Sequence, residues 1–297
     1  MYNITMFRLI VTLILILISS ACTHTTEVRP EGKPQKVALV LGAGASKGFA
    51  HIGVIKVLES NGIPIDMVVG TSAGSFVGSL YAYGFNAFDL QKIALSITRS
   101  DVMDLTVPDN GFIKGEKIEE YINRLVKNTP IERFKIPFYA VATDIATGKE
   151  VVFGMGNAGM AVRASCAIPG VFRPVKIGPK QYVDGGVVSP VAVNAARLYG
   201  ADIVIAVDIS GDTDPTQPNG TLETILKSID IMYSKIALTQ LSGATIVIRP
   251  NVSGIGSADF SKRHEAILEG EKAALSAIPE IKRILAQKDA RMAPARP

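Results

Sequence analysis

The sequence predicts an α/β fold built on a mostly parallel sheet. Three observations carry that prediction: apolar runs without alternation, helical periodicities between them, and their regular succession along the chain. The first run, "KVALVLG" (36–42), has the unbroken apolar character of a strand buried on both faces. "FAHIGVIKVLESNG" (49–62) then sets Phe49, Ile52, Ile55 and Leu58 at helical spacing and stops at Gly62. "IDMVVG" is the second strand and "AGSFVGSLYAYG" the second helix. Strand, helix, strand, helix in that order means βαβ units.

The pattern continues to the end of the chain. Helices are expected over 86–97 and 115–128, and paired strands over 138–145 and 150–155 around the turn "ATGK". "AGMAVRASCA" (158–167) reads as a short helix stopped by Ile168-Pro169, and "KQYVDGG" (180–186) as a strand entering a glycine turn. A helix opened by Pro190 (190–200) leads to the strand "ADIVIAVDIS" (201–210). A long helix follows ("TLETILKSIDIMYSKIALTQL"), then a last strand ("ATIVIRP") and a closing helix over 261–278. No internal repeat and no second composition regime appears, so one domain is expected over 36–287, with a disordered tail over 288–297.

Composition bounds the function. The 297 residues are 47% apolar and 20% charged, enough for a sizeable core. The net charge of +4, from 31 basic and 27 acidic residues, comes without a long basic cluster, so no nucleic-acid partner is expected. Tryptophan is absent and aromatics make up 6%, which argues against base-stacking platforms. No clustered His/Cys/carboxylate set suggests a metal, and no cofactor is expected.

The N-terminus is a separate matter. After Arg8, residues Leu9–Ile18 form an apolar run broken only by Thr12, about 15 Å of helix and half a bilayer core. A positive residue, a short apolar run and small residues describe a signal peptide over 1–21. Cys22 follows Ser19-Ser20-Ala21, which resembles the lipobox of bacterial lipoproteins, although Ser19 stands where leucine is usual. That resemblance implies lipid on Cys22 and an exported, membrane-anchored lipoprotein facing the periplasm; the alternative is a secreted chain cut near Ala21. Residues 22–35, with two prolines and no periodicity, read as a tether. With Cys22 lipidated, Cys166 has no disulfide partner and is expected as a buried, inert thiol.

The chemistry centres on "GTSAG" (70–74), a G-x-S-x-G pattern between a strand and a helix. A serine on so tight a turn is held in a strained backbone state with its hydroxyl outward, and Gly70 and Gly74 remove the Cβ clashes. The bland alternative is a serine helix cap between packing glycines. A second glycine turn, "GAGASKG" (42–48), holds N–H groups towards an anion, as a dinucleotide site or an oxyanion hole would. The strict dinucleotide spacing fails at Lys47, and the only acid near the required offset, Asp66, begins the second strand rather than ending it. Lys47 is open to three readings: a solvated surface charge, a loop-orienting group, or an attractor for an anionic headgroup. The serine needs a base, and the chain has only His24, His51 and His264. Asp184, at the end of a strand with glycines behind it, falls at the same sheet edge as Ser72; alone it could equally be a turn residue.

Taken together, "LGAGASKGFAHIGVIKVLE", "GTSAGS", "GFIKGEKIEEYI", "YAVATDIATGKEVVF", "RASCAIPGVFRPV" and "YVDGG" resemble the bacterial patatin-like phospholipases over about residues 36–210. The resemblance implies a three-layer α/β/α sandwich and a serine lipid acyl hydrolase acting on lipid or ester substrates through an acyl-enzyme. Carried over, Ser72 is the nucleophile, Asp184 its base, and Gly44, Ala45, Ser46 and Lys47 the oxyanion loop. The chain departs from the family's three successive glycines, reading Ala43-Gly44-Ala45. Two rivals remain: a histidine-dependent esterase using Ser72, Asp208 and His264, and a catalytically idle binding lipoprotein. Residues 96–115 are open as a mobile lid or a surface loop, and the sequence does not fix the oligomeric state.

Overall fold

Strand pairing accounts for where the site falls. The computed structural model describes residues 35–292 apart from Pro108 and 212–216. Its strands are β1 (Val37–Leu41), β2 (Met67–Thr71), β3 (Phe138–Asp144), β4 (Lys149–Phe153), β5 (Val175–Ile177), β6 (Lys180–Asp184), β7 (Ile203–Val207) and β8 (Ile246–Ile248). They form one sheet in the order β5-β6-β3-β2-β1-β7-β8, with β4 paired to β3. The run β3-β2-β1-β7-β8 is parallel, while β4, β5 and β6 join by antiparallel pairing.

The helices are α1 (Phe49–Ser60), α2 (Ala73–Tyr83), α3 (Ala87–Ser96), α4 (Arg99–Val102), α5 (Glu116–Leu125), α6 (Ala158–Ser165), α7 (Val193–Leu198), α8 (Thr221–Gln240) and α9 (Arg263–Met292). Alternation along β1 shows the two covered faces. Val37, Leu39 and Leu41 pack with residues of α1, α2, α3, α5 and α9, whereas Ala38 and Val40 pack with α7 and with Ala237 of α8. Each fully buried Leu or Ile contributes about 1.5–3 kcal/mol over exposure, so a strand apolar on both faces belongs between two helical layers.

The expected α/β fold with a mostly parallel sheet is present, and the boundaries differ where tertiary bonds override local signals. The helix expected from Pro190 begins at Val193, because the Pro190 carbonyl accepts the Ala43 N–H (2.8 Å) and the Val191 N–H donates to Gln240 Oε1 (3.1 Å). Strand β5, three residues long, escaped prediction and forms a hairpin with β6. Short helices also went unpredicted, among them α4 and 3₁₀ turns over Ala45–Gly48 and Ile131–Arg133. Helix α9 runs through Pro279 to Met292, past the expected end at 278 and into the stretch read as a tail. No helix among the described residues is long and apolar enough to cross a membrane. The expected signal peptide (1–21), Cys22, His24 and nearly all of the 22–35 tether lie outside the described residues.

One junction sets up the site. At any residue, each edge of β3 serves a single partner. Strand β4 takes Ala140–Asp144 on one edge. On the other edge β2 pairs up to Thr71 opposite Val141, and β6, running the opposite way, ends with Asp184 opposite Ala142. The carboxyl ends of β2 and β6 therefore abut, and the residues leaving them must meet.

Candidate active site

Ser72 leaves β2 at that junction. Its backbone sits at φ 55°, ψ −123°, a region that costs a non-glycine residue about 1–3 kcal/mol. Crowding at the turn enforces the conformation. A Cβ on Gly70 would lie 2.5 Å from the Gly74 carbonyl, and one on Gly74 would lie 2.0 Å from the Leu41 carbonyl, so the elbow packs directly on the end of β1. The Ser72 carbonyl accepts the N–H groups of Ser75 (2.8 Å) and Phe76 (3.1 Å), which starts α2. Its own N–H donates to Ser165 Oγ (2.9 Å), whose hydroxyl passes on to the Val141 carbonyl (2.5 Å).

Across the junction, Ser72 Oγ donates to Asp184 Oδ2 at 2.6 Å. Asp184 is fully buried. Its other oxygen accepts the Gly186 N–H (2.7 Å), and Thr143 Oγ1 donates to its carbonyl (2.9 Å). Burial pushes the carboxyl up to about 6, against the opposing pull of the bonds from Ser72 and Gly186 and of the nearby Tyr233. At neutral pH it is ionised and more basic than an ordinary aspartate. The Asp184 carboxylate thus caps its own turn through Gly186 and also accepts the Ser72 hydroxyl, while the Ser72 side chain accepts no capping bond.

The 42–48 loop divides in two. Among the described residues the N–H groups of Gly44 and Ala45 donate no hydrogen bond, and Ala45 holds a left-handed φ of 49°. The Ser46 N–H donates to the Ser257 carbonyl (3.2 Å) and the Lys47 N–H to the Gly44 carbonyl (3.1 Å). Of the four residues expected as an oxyanion loop, Gly44 and Ala45 thus present open amides, while Ser46 and Lys47 spend theirs on carbonyls of the protein. Lys47 is no solvated charge: it is 2% exposed and paired with Asp230 at 3.0 Å. The dinucleotide alternative fails on position. Asp66 accepts the Val37 N–H (2.7 Å) at the start of β1, whereas the glycine loop follows its end, about 16 Å away along the strand.

The histidine-based alternative finds no geometry either. His51 is fully buried, donates Nε2–H to the Gly42 carbonyl (2.9 Å), and burial lowers it to about 4, so it stays neutral. His264 is exposed on α9. Asp208 accepts from Ser210 (N–H 3.0 Å, Oγ 2.5 Å) and faces Arg249 at 3.4 Å. Among the described residues no histidine is bonded to Ser72.

Ser72 and Ala45 open onto a cleft of about 300 Å³ walled by Phe49, Phe76, Val77, Val102, Met103, Ile113, Phe172 and Leu226. Cys166 borders it, buried, its thiol pushed up by desolvation. The 96–115 segment supplies one wall and is tied at both ends. The Ile97 carbonyl accepts from Arg263 of α9 (2.8 Å), the Phe112 and Ile113 N–H groups donate to the Val171 carbonyl (2.9 and 3.0 Å), and Asp104 caps α5 through Gly115 (2.7 Å). Ser165, Thr143, Asp230 and Tyr233 were not singled out from sequence. Ser165 and Thr143 lie within the matched stretches "RASCAIPGVFRPV" and "YAVATDIATGKEVVF", whereas Asp230 and Tyr233 lie in no motif, and all four act across long separations.

Comparison with known proteins bears on this constellation. The model of the family described as patatin-like phospholipase matches residues 39–197, more than half of the chain. An uncharacterised NTE family protein of Mycobacterium tuberculosis is 36% identical over 224 residues, covering 73% of this chain and 61% of that one. A second from the same organism is 30% identical over 279 residues (84% and 48%). Lysophospholipase NTE1 of Coccidioides immitis is 32% identical over 273 residues, 80% of this chain but 17% of that one. The chain thus spans less than two thirds of these relatives' lengths. The crystal structure of VipD from Legionella pneumophila shares the fold, with a TM-score of 0.61 at 12% identity over 83% of this chain and 67% of that one.

Proposed function

The chain belongs to the patatin-like phospholipase family, and from that premise we propose that it is a serine lipid acyl hydrolase of the phospholipase A, lysophospholipase or carboxylesterase type. Ser72 Oγ attacks the ester carbonyl while Asp184 Oδ2 takes its proton. The developing oxyanion meets the N–H groups of Gly44 and Ala45, worth about 3 kcal/mol per well-aimed donor. Collapse expels the alcohol portion, which recovers the proton from Asp184, and leaves the acyl group on Ser72. Water, deprotonated by the same carboxylate, then releases the fatty acid. The apolar cleft beside Ser72 suits an acyl chain.

The observation that carries this reading is the 2.6 Å hydrogen bond between Ser72 and a buried Asp184. Hydrolysis of short- and long-chain esters and phospholipids by wild type, Ser72→Ala and Asp184→Asn tests it. Loss in both variants is expected; full activity in either contradicts the dyad. From the sequence we extend the proposal to export and anchoring through lipid on Cys22. Metabolic fatty-acid labelling lost in Cys22→Ala is the expected result, and persistent labelling contradicts it.

A further inference from the structure

Helix α8 lies beyond residue 197, where the family match ends, and its polar residues belong to none of the motifs. Asp230, Tyr233, Ala237 and Gln240 nevertheless fall on one face of it, at i, i+3, i+7 and i+10. Each polar member reaches a different part of the site.

Asp230 Oδ2 accepts from Lys47 Nζ (3.0 Å) and from Ser257 Oγ (2.5 Å). Ser257 in turn receives the Ser46 N–H on its carbonyl, and Ser46 Oγ donates to the Gly256 carbonyl (2.7 Å). The residue after the open amides is therefore fixed from α8 through two routes. Gln240 bridges the Val188 carbonyl (3.0 Å) and the Val191 N–H (3.1 Å), clamping the chain just after the Asp184 turn. Tyr233 lies between them, 4% exposed. Its ring fills the space left by the missing side chain of Gly186, where a Cβ would sit 2.3 Å from Cζ. Gly186 is the same residue whose N–H holds Asp184 Oδ1.

The Tyr233 hydroxyl is buried without a well-formed hydrogen bond in the resting arrangement. It lies close enough to the Asp184 carboxyl to bias that group towards its charged form. A buried hydroxyl left unpaired is unfavourable, and phenylalanine would fill the same space without that penalty. The carboxylate is the neighbour that gives the oxygen a use.

We propose that Tyr233 and Asp230 are positioning residues, Tyr233 holding the Asp184 carboxylate and Asp230 holding the oxyanion loop, so that one turn of α8 sets both halves of the site. The proposal rests on the Ser72–Asp184 reading above. Asp184 is faced by the Ser72 hydroxyl, by Tyr233 from α8 and by the Cys166 thiol at the end of α6, with Asp230 acting on Tyr233. Cys166 stays neutral because burial raises it, which leaves the Tyr233 hydroxyl as the side chain besides Ser72 itself whose removal shifts Asp184. Without that donor the charged carboxylate is less favoured, and the acid limb of the rate profile moves to higher pH.

The test uses the full chain, a soluble short-chain nitrophenyl ester, and Ser72→Ala as baseline. Tyr233→Phe, checked for folding by circular dichroism, should move the acid limb of kcat/KM upward, lowering the rate at pH 6 about three-fold relative to pH 8. Asp230→Asn should lower kcat about ten-fold or more with KM little changed, and Asp230→Glu should recover part of it. If Asp230→Asn does not fold, Lys47→Gln/Asp230→Asn, which leaves no charge buried alone, replaces it with the same expected loss. A wild-type pH profile in folded Tyr233→Phe overturns the role of Tyr233. Wild-type kcat in the folded Asp230 variant overturns that of Asp230. Activity surviving Ser72→Ala would instead sink the underlying site assignment, whatever the α8 variants do.

Discussion

Replacing Asp184 with asparagine should abolish ester cleavage and stabilise the fold at neutral pH. In the folded chain the Asp184 carboxyl is pushed up to about 6 from an ordinary value of 3.8 because burial outweighs its hydrogen bonds. A difference of about two pKa units at 1.36 kcal/mol each is ~3 kcal/mol. Below about pH 4 the carboxyl is protonated in both states and the difference is absent. Between about pH 4 and 6 the unfolded chain releases its proton more readily than the folded one, so stability falls as pH rises. Above about pH 6 the full destabilisation is present. Asparagine carries no charge, and its amide meets the same partners: Oδ1 accepts the Gly186 N–H and Nδ2 donates to Ser72 Oγ. The variant should therefore gain ~3 kcal/mol on wild type between about pH 4 and 7, about 6 °C in Tm for a chain of this size. Urea denaturation and thermal scans across that range read it directly. A difference that stays flat with pH, or a variant less stable than wild type at pH 7, would refute the reasoning.

Three further outcomes are expected. Ser72→Gly removes the φ 55° strain (about 1–3 kcal/mol) and also the hydrogen bond to the buried Asp184 carboxylate (about 1.5–3 kcal/mol), so it should end activity while leaving stability within about 1 kcal/mol of wild type in urea denaturation. Gly74→Ala places a methyl 2.0 Å from the Leu41 carbonyl and should lower stability by about 2 kcal/mol or more, read by the same method. The kcat/KM of wild type on a soluble ester should rise through an acid limb near pH 6, set by Asp184, and His264→Ala should leave that profile unmoved.

Much of the frame is legible in the sequence because its signals are local. The apolar runs ending at Leu41, Thr71 and Val207 announce strands buried on both faces, and the glycines around Ser72 announce a turn too tight for side chains. "YVDGG" places Asp184 at a strand end, and the Gly186 amide that holds its carboxylate is part of the same motif. What is not legible acts at a distance. The meeting of β2 and β6 along one edge of β3 follows from registers that no single stretch encodes. Ser165 fixes the Ser72 amide across 93 residues, and Asp230 reaches Lys47 across 183. Lys47 shows the limit most clearly: a lysine in a glycine loop stays open between a solvated charge, a loop-orienting group and an anion attractor until its partner on α8 is in view. Pro190 misleads in the opposite sense. It signals a helix start, but its carbonyl is engaged by Ala43 and the helix waits until Val193.

Reaction with a fluorophosphonate ester, followed by peptide mass mapping, addresses the catalytic chemistry most directly. A single adduct on Ser72, formed much more slowly in Asp184→Asn at pH 7, is what a hydroxyl activated by that carboxylate should give. An unlabelled wild-type chain, an adduct on another residue, or an undiminished rate in Asp184→Asn would contradict it.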